Sequence, residues 1–124
     1  MKTFDLNAEL KKIKQNTNKD ELGMILVHNG IVRGTSRVGN KSVSIMELSF
    51  DKEKLSAAIK KAKENKGVKS VVVWINEGEL SVGDDIMYVI LSGDRRINIL
   101  KPFEELIENI KSNVVTEKEI IGHK

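Results

Sequence analysis

The chain has no cysteine, one proline and two histidines. Without thiols it has no disulfide, no thiolate nucleophile and none of the usual cysteine-based zinc sites. With His28 and His123 as its only imidazoles, a histidine-rich metal site is excluded too, so neither a metal nor another cofactor is expected. Aromatic residues make up 4% of the chain, too few for a base-stacking platform. The net charge of +3 falls short of the clustered basic stripe of a nucleic-acid binder, so nucleic acid is not an expected partner. No apolar run approaches a membrane span, and the opening MKTFDLNAELKKIK holds no apolar stretch long enough for a signal peptide. The expected setting is the cytoplasm, away from membranes.

What is present is enough for a core. The 124 residues are 40% hydrophobic, which fits one ordinary domain spanning 1–124. Residues 6–16 allow a short amphipathic helix with Leu6, Leu10 and Ile13 on one side. Met24 to Val32 is apolar enough for a strand. Asn29-Gly30 within it is a strong hairpin signal; the alternative is a strand that continues through a bulge at Gly30. Ser42 to Phe50 alternates and reads as the returning strand of a hairpin. From Asp51 to Gly67 runs the clearest helix, capped by Asp51, with Leu55, Ala58, Ile59 and Ala62 on one face and Gly67 just past its end. Ser70–Ile75 and Ile86–Leu91 read as buried strands, with a turn at Asn76-Glu77-Gly78 and a short extension at Leu80–Gly83. Residues 98–113 form a second long helix, with Pro102 in its first turn. The tail VVTEKEIIGHK is a strand or a loose end. The fold class is α+β: a mainly antiparallel sheet with two long helices packed on it.

Reactive chemistry falls to lysines, arginines and carboxylates. Between Met24 and Met46 there is no acidic residue, while Arg33, Arg37 and Lys41 sit among Gly34, Gly39 and Asn40. Such a loop is either simply solvated or faces an anion. Arg95-Arg96 lies between a strand and a helix, where helix-terminal amides favour anions. Lys111 follows Ile107 by four residues and so borders the apolar stripe of the last helix; the plain alternative is a snorkelling lysine paired with Glu108. Lys118 lies seven residues further on, beyond the β-branched Val114, Val115 and Thr116. His28, within a strand, reads as a core or surface histidine rather than a catalytic base.

The order of these segments resembles the large, catalytic subunit of molybdopterin synthase, over roughly Glu21 to Glu119. GMILVHNGIVRG resembles that family's apolar strand ending in Gly-x-Val-Arg, which puts Arg33 in the place of the family's arginine. SIMEL is similar to its returning strand, with Met46 where a leucine would stand. SVVVWINEGELSVGDDIMYVIL resembles its strand, Gly-Glu-Leu turn, Gly-Asp turn and strand. Lys111 and Lys118 keep the family's spacing. There are departures: Arg95 stands for a histidine of the usual His-Arg pair, Arg96 matching its arginine. Val114-Val115-Thr116-Glu117 replaces an Ala-Pro-x-Trp segment and brings a carboxylate beside Lys118.

The resemblance implies an α/β hammerhead type of fold and a cyclic pterin monophosphate as substrate. It also implies a small ubiquitin-like partner whose C-terminal Gly-Gly tail carries a thiocarboxylate. Two sulfur transfers would make the dithiolene that later holds molybdenum or tungsten, and no cysteine is needed because sulfur arrives on the partner. A homodimer of large subunits with a small subunit at each end, a heterotetramer, is implied as well. By the same resemblance Lys111 and Lys118 are the catalytic candidates and Arg33, Arg37, Arg95 and Arg96 the substrate-binding ones, and the Gly30 strand reading is favoured over the tight turn. Two other readings compete: a non-catalytic relative that keeps fold and dimer, supported by the missing histidine and Pro-x-Trp segment, and a small basic module for a nucleotide or RNA.

Overall fold

Carboxylates open two of the helices. Asp5 accepts a hydrogen bond from the amide of Ala8 at the start of α1 (Leu6–Asn16), and Asp51 accepts from the amides of Glu53 and Lys54, both at 3.0 Å, at the start of α2 (Lys52–Lys63). These bonds satisfy donors that the first helical turn leaves unpaired. The computed structural model describes residues 3–36, 39 and 42–121. Its remaining elements are β1 (Met24–Ile31), β2 (Val43–Phe50), β3 (Val68–Ile75), β4 (Gly78–Ser81), β5 (Asp85–Gly93), α3 (Arg96–Asn109), a π-type turn (Ile110–Val114) and β6 (Val115–Ile121).

Two antiparallel three-stranded sheets form, in the orders β1-β5-β3 and β4-β2-β6. β5 is paired on both sides and buried on both faces, which is why its sequence is a continuous apolar run rather than an alternating one. Val89, Ile90 and Leu91 are fully buried, each contributing roughly 1.5–3 kcal/mol. On one face, Val89 and Leu91 join Ile99 and Leu106 of α3 and Ala58 and Ala62 of α2 in the main core. On the other, Phe4 stacks on Tyr88 and Trp74, with ring centroids 4.9 and 5.6 Å away. No helix among the described residues is long and apolar enough to cross a membrane.

The expected hairpin between the first two strands does not form. β1 runs straight through Asn29-Gly30 against β5, with a register shift between Gly30 and Ile31, so the bulge reading holds. The buried Val32 then ties the end of β1 to the turn before β5: its amide bonds the Asp84 carbonyl, and its carbonyl accepts from Gly83, each at 2.9 Å. With that end committed, β2 pairs with β4 and β6 instead, and Thr35 and Ser42 share only an isolated bridge.

Two helix ends also differ from expectation. α3 begins two residues earlier than its apolar period suggests, so Pro102 is buried inside the helix rather than in its first turn. α2 ends at Lys63, and Gly67 is instead the residue that turns the chain into β3, with φ +90°. A Cβ there would lie 2.5 Å from the Asp94 carboxylate, so both the left-handed backbone and the contact call for glycine.

Candidate functional site

A cleft of about 290 Å³ opens where the two sheets meet beside the end of the last helix. That is near the lower bound for small-molecule sites. The first sheet supplies His28, Gly30 and Ile31 from β1, Arg33 just beyond it, and Ile86 and Met87 from the start of β5; the second supplies Met46 from β2 and Glu117 and Glu119 from β6. Lys111 closes one side from the π-type turn. Ile110 and Val114 anchor that turn in the core while Lys111 is left exposed. Such turns widen a helix locally and commonly occur at functional sites.

Arg33 and Lys111, far apart in the chain, are thereby brought to one cleft. Lys118 is not among its lining residues. Side chains along a strand alternate between faces; Glu117 and Glu119 face the cleft, while Lys118 is exposed beside its register partner Glu47 on the other side. The carboxylate of Glu117 therefore joins Arg33 and Lys111 rather than sitting beside the Lys118 ammonium. The described lining carries two cations and two carboxylates, able to hold both an anionic and a hydrogen-donating part of a ligand. Arg37, with Lys41, lies outside the described residues.

Arg95 and Arg96 stand elsewhere. Arg96 begins α3 and Lys111 follows its end, so the helix separates them by roughly 22 Å. β5 gives a similar span, about 20 Å from Met87 at the cleft to Gly93 at the far end. At that end the chain supplies its own anion: the Asp94 carboxylate accepts from the Arg95 amide at 2.6 Å and from the Asn98 side chain at 2.9 Å. The Asn98 bond, with the Arg95 amide bond and the positive charge of Lys69 adding to it, holds Asp94 below the usual carboxylate range, against a partial desolvation that acts the other way.

The imidazole of His28 is the main surprise. It lies in the cleft wall, and its Nε2 is buried with no hydrogen-bond partner among the described residues. Burial, and then the positive charge of Lys111, lower its pKa from the ordinary 6.5. The available signal was spacing: His28 lies two residues before Gly30, on the same face of the strand that delivers Arg33. Glu119 was missed in the same way, two residues after Glu117. Among the described residues, no three His, Asp or Glu side chains gather in a way that could hold a metal ion.

Comparison with known proteins places this architecture. A family model described as MoaE protein matches residues 2–113. The match includes Arg33, Arg96 and Lys111 and stops before β6, so Lys118 lies beyond it. None of the curated proteins matches the chain. Among solved structures, a molybdopterin biosynthesis MoaE protein from Burkholderia ambifaria superposes with a TM-score of 0.76 at 20% identity, covering 99% of this chain and 86% of that one. Molybdopterin synthase from Staphylococcus aureus gives 0.74 at 21% identity, covering 93% and 85%. A complex of subunits 1 and 2 of molybdopterin-converting factor from Helicobacter pylori gives 0.73 at 22% identity, covering 96% and 77%. At such identities the likeness is one of fold. The family match spans most of the sequence, and the chain belongs to the MoaE family, that of the molybdopterin synthase large subunit.

Proposed function

We propose that this chain acts in molybdopterin biosynthesis as the sulfur-accepting half of a synthase, a single domain working in the cytoplasm. A pterin monophosphate binds in the cleft, and a small ubiquitin-like carrier presents a C-terminal Gly-Gly thiocarboxylate to it. Two thiocarboxylated tails in turn each give their sulfur to the pterin, which makes the dithiolene; each tail leaves as a carboxylate, taking in exchange an oxygen from the pterin or from water. The observation that carries this reading is the convergence of Arg33 and Lys111 in one cleft of a MoaE-family fold. Arg33 anchors the phosphate by charge-assisted hydrogen bonds. Lys111 serves as proton donor or fixed cation where charge develops on the pterin and on the departing carboxylate of the tail. The two-subunit Helicobacter pylori complex supports a small protein partner.

Arg95 and Arg96 are too far from Lys111 to share a site within one copy. In this reading they reach the cleft of a second copy, as a homodimer allows. Lys118, on the outer face of β6, has a secondary, orienting role at most, and Arg37 is a further candidate for binding the substrate.

A specific feature favours the rival reading of a non-catalytic relative: Glu117 and Glu119 bring negative charge to the cleft that is to hold a phosphate. One experiment decides. Purified protein is mixed with the pterin precursor and a thiocarboxylated carrier. Formation of the dithiolene pterin is expected; a mixture that binds carrier yet stays inert selects the rival.

A further inference from the structure

The chain places an imidazole where its surroundings give it little reason to be. His28 shares its strand face with Gly30, and Ile86, Met87 and Met46 supply the apolar part of the same cleft. Its Nε2 lies 3.6 Å from the position a Cβ on Gly30 would take, closed off from solvent, with neither donor nor acceptor among the described residues. Phenylalanine or leucine would fill that wall without a buried polar atom. Folded proteins leave few buried nitrogens unpaired, and each such atom asks for a reason.

We propose that His28 contacts the ligand of this cleft, hydrogen-bonding the uncharged polar edge of the pterin through its imidazole while Arg33 holds the phosphate. The inference rests on the reading given above and adds a residue to it. A neutral imidazole has one nitrogen that donates and one that accepts. The broad, roughly twofold torsion at the ring allows either edge to be turned toward the cleft. The charged groups around it are Lys111 from the π-type turn, Arg33 from the end of β1, and Glu117 and Glu119 from β6. Burial and Lys111 both oppose protonation, so near neutral pH the ring adds no third cation to the cleft. It offers what the cations cannot, a hydrogen bond that discriminates a heterocycle from a bare anion. A site built around such a bond discriminates strongly against analogues that lack the matching group.

The test uses His28→Phe, which keeps a flat ring and removes both nitrogens, and His28→Gln, which restores a donor and an acceptor. Titration calorimetry is run with the pterin monophosphate and, separately, with inorganic phosphate. His28→Phe is expected to weaken pterin monophosphate about tenfold, the scale of one hydrogen bond left unmade, and to leave inorganic phosphate unchanged, with His28→Gln recovering part of the loss. In a His123→Gln background His28 is the single imidazole, and its ¹⁵N resonances are expected to move with the pterin and to stay in place with phosphate alone. Equal pterin affinity in wild type and His28→Phe, with unmoved resonances, overturns the role of His28 and leaves the proposed function standing. A wild-type protein that does not bind the pterin at all overturns the proposed function, and the role of His28 with it.

Discussion

Arg33 leaves the end of β1 exposed, with no part in the core, so its removal tests binding without threatening the fold. Arg33→Ala is expected to weaken the pterin monophosphate by roughly 1.5–3 kcal/mol, about ten- to a hundredfold, with an unchanged unfolding midpoint; unaltered affinity by calorimetry would remove the anchor. Lys111→Ala should lower turnover by orders of magnitude with little loss of thermal stability, and Lys111→Arg should fail to rescue it because arginine does not give up its proton. Lys118→Ala, on the outer face of β6, should cost less turnover than Lys111→Ala in the same assay. His28 yields a stability prediction that needs no ligand. Its pKa in the folded chain is depressed by burial and by Lys111, so the unfolded chain takes up the proton more readily. The folded state is then unpenalised above the unfolded value near 6.5, and loses stability as pH falls through 6.5 toward the lower folded value. Thermal melts at about pH 7.5 and about pH 5 should show a smaller drop for His28→Gln than for wild type; equal drops would place the titration elsewhere. The place of Lys111 in the cleft wall, though not its role, was legible from its position beside an apolar stripe. That of His28 was not, because a strand histidine looks alike whether its neighbours are core, solvent or a cleft.

Elements were legible where local physics decides them. Asp51 stops one strand and starts one helix by accepting two amide hydrogen bonds, and that device is visible in the sequence as an acidic cap before an apolar stripe of period 3.6. Asp51→Ala should therefore cost about 1 kcal/mol, lowering the thermal midpoint by about 3–6 °C for a domain of this size. A melt within a degree of wild type would mean that packing of Ala58 and Ala62, not the cap, sets where α2 begins. Strand existence was legible for the same reason: SVVVWI and IMYVIL are too apolar and too β-branched to lie elsewhere than in a buried sheet. Pairing was not. β1 and β2 are consecutive and each suits a hairpin, yet Val32 bonds the turn before β5 and separates them into different sheets. That decision is made by residues some fifty positions away, beyond any local signal. The face presented by Lys118 depended on the same kind of information, since one residue of register exchanges cleft and solvent along β6.

At the scale of the molecule, α3 is the measuring rod. It sets Arg96 and Lys111 at its two ends, roughly 22 Å apart, so a function that needs both in one site needs two copies. Among the described residues the sheet edges are β1, β3, β4 and β6, and they offer surfaces through which copies join. Light scattering is expected to show a dimer, and a concentration-independent monomer would count against it. Subunit mixing asks the sharper question. Lys111→Ala and Arg96→Ala proteins should each be weak alone. Unfolded together and refolded as an equal mixture, half of a twofold dimer population is mixed, and each mixed dimer holds one site with neither substitution and one with both. Activity should then return to about a quarter of wild type. Were Arg96 to act only within its own copy, every site would carry one lesion or the other and mixing would restore nothing. A dimer that forms without complementation would therefore separate assembly from the shared site. It would leave Arg33 and Lys111 as the cationic pair of a cleft complete in a single chain.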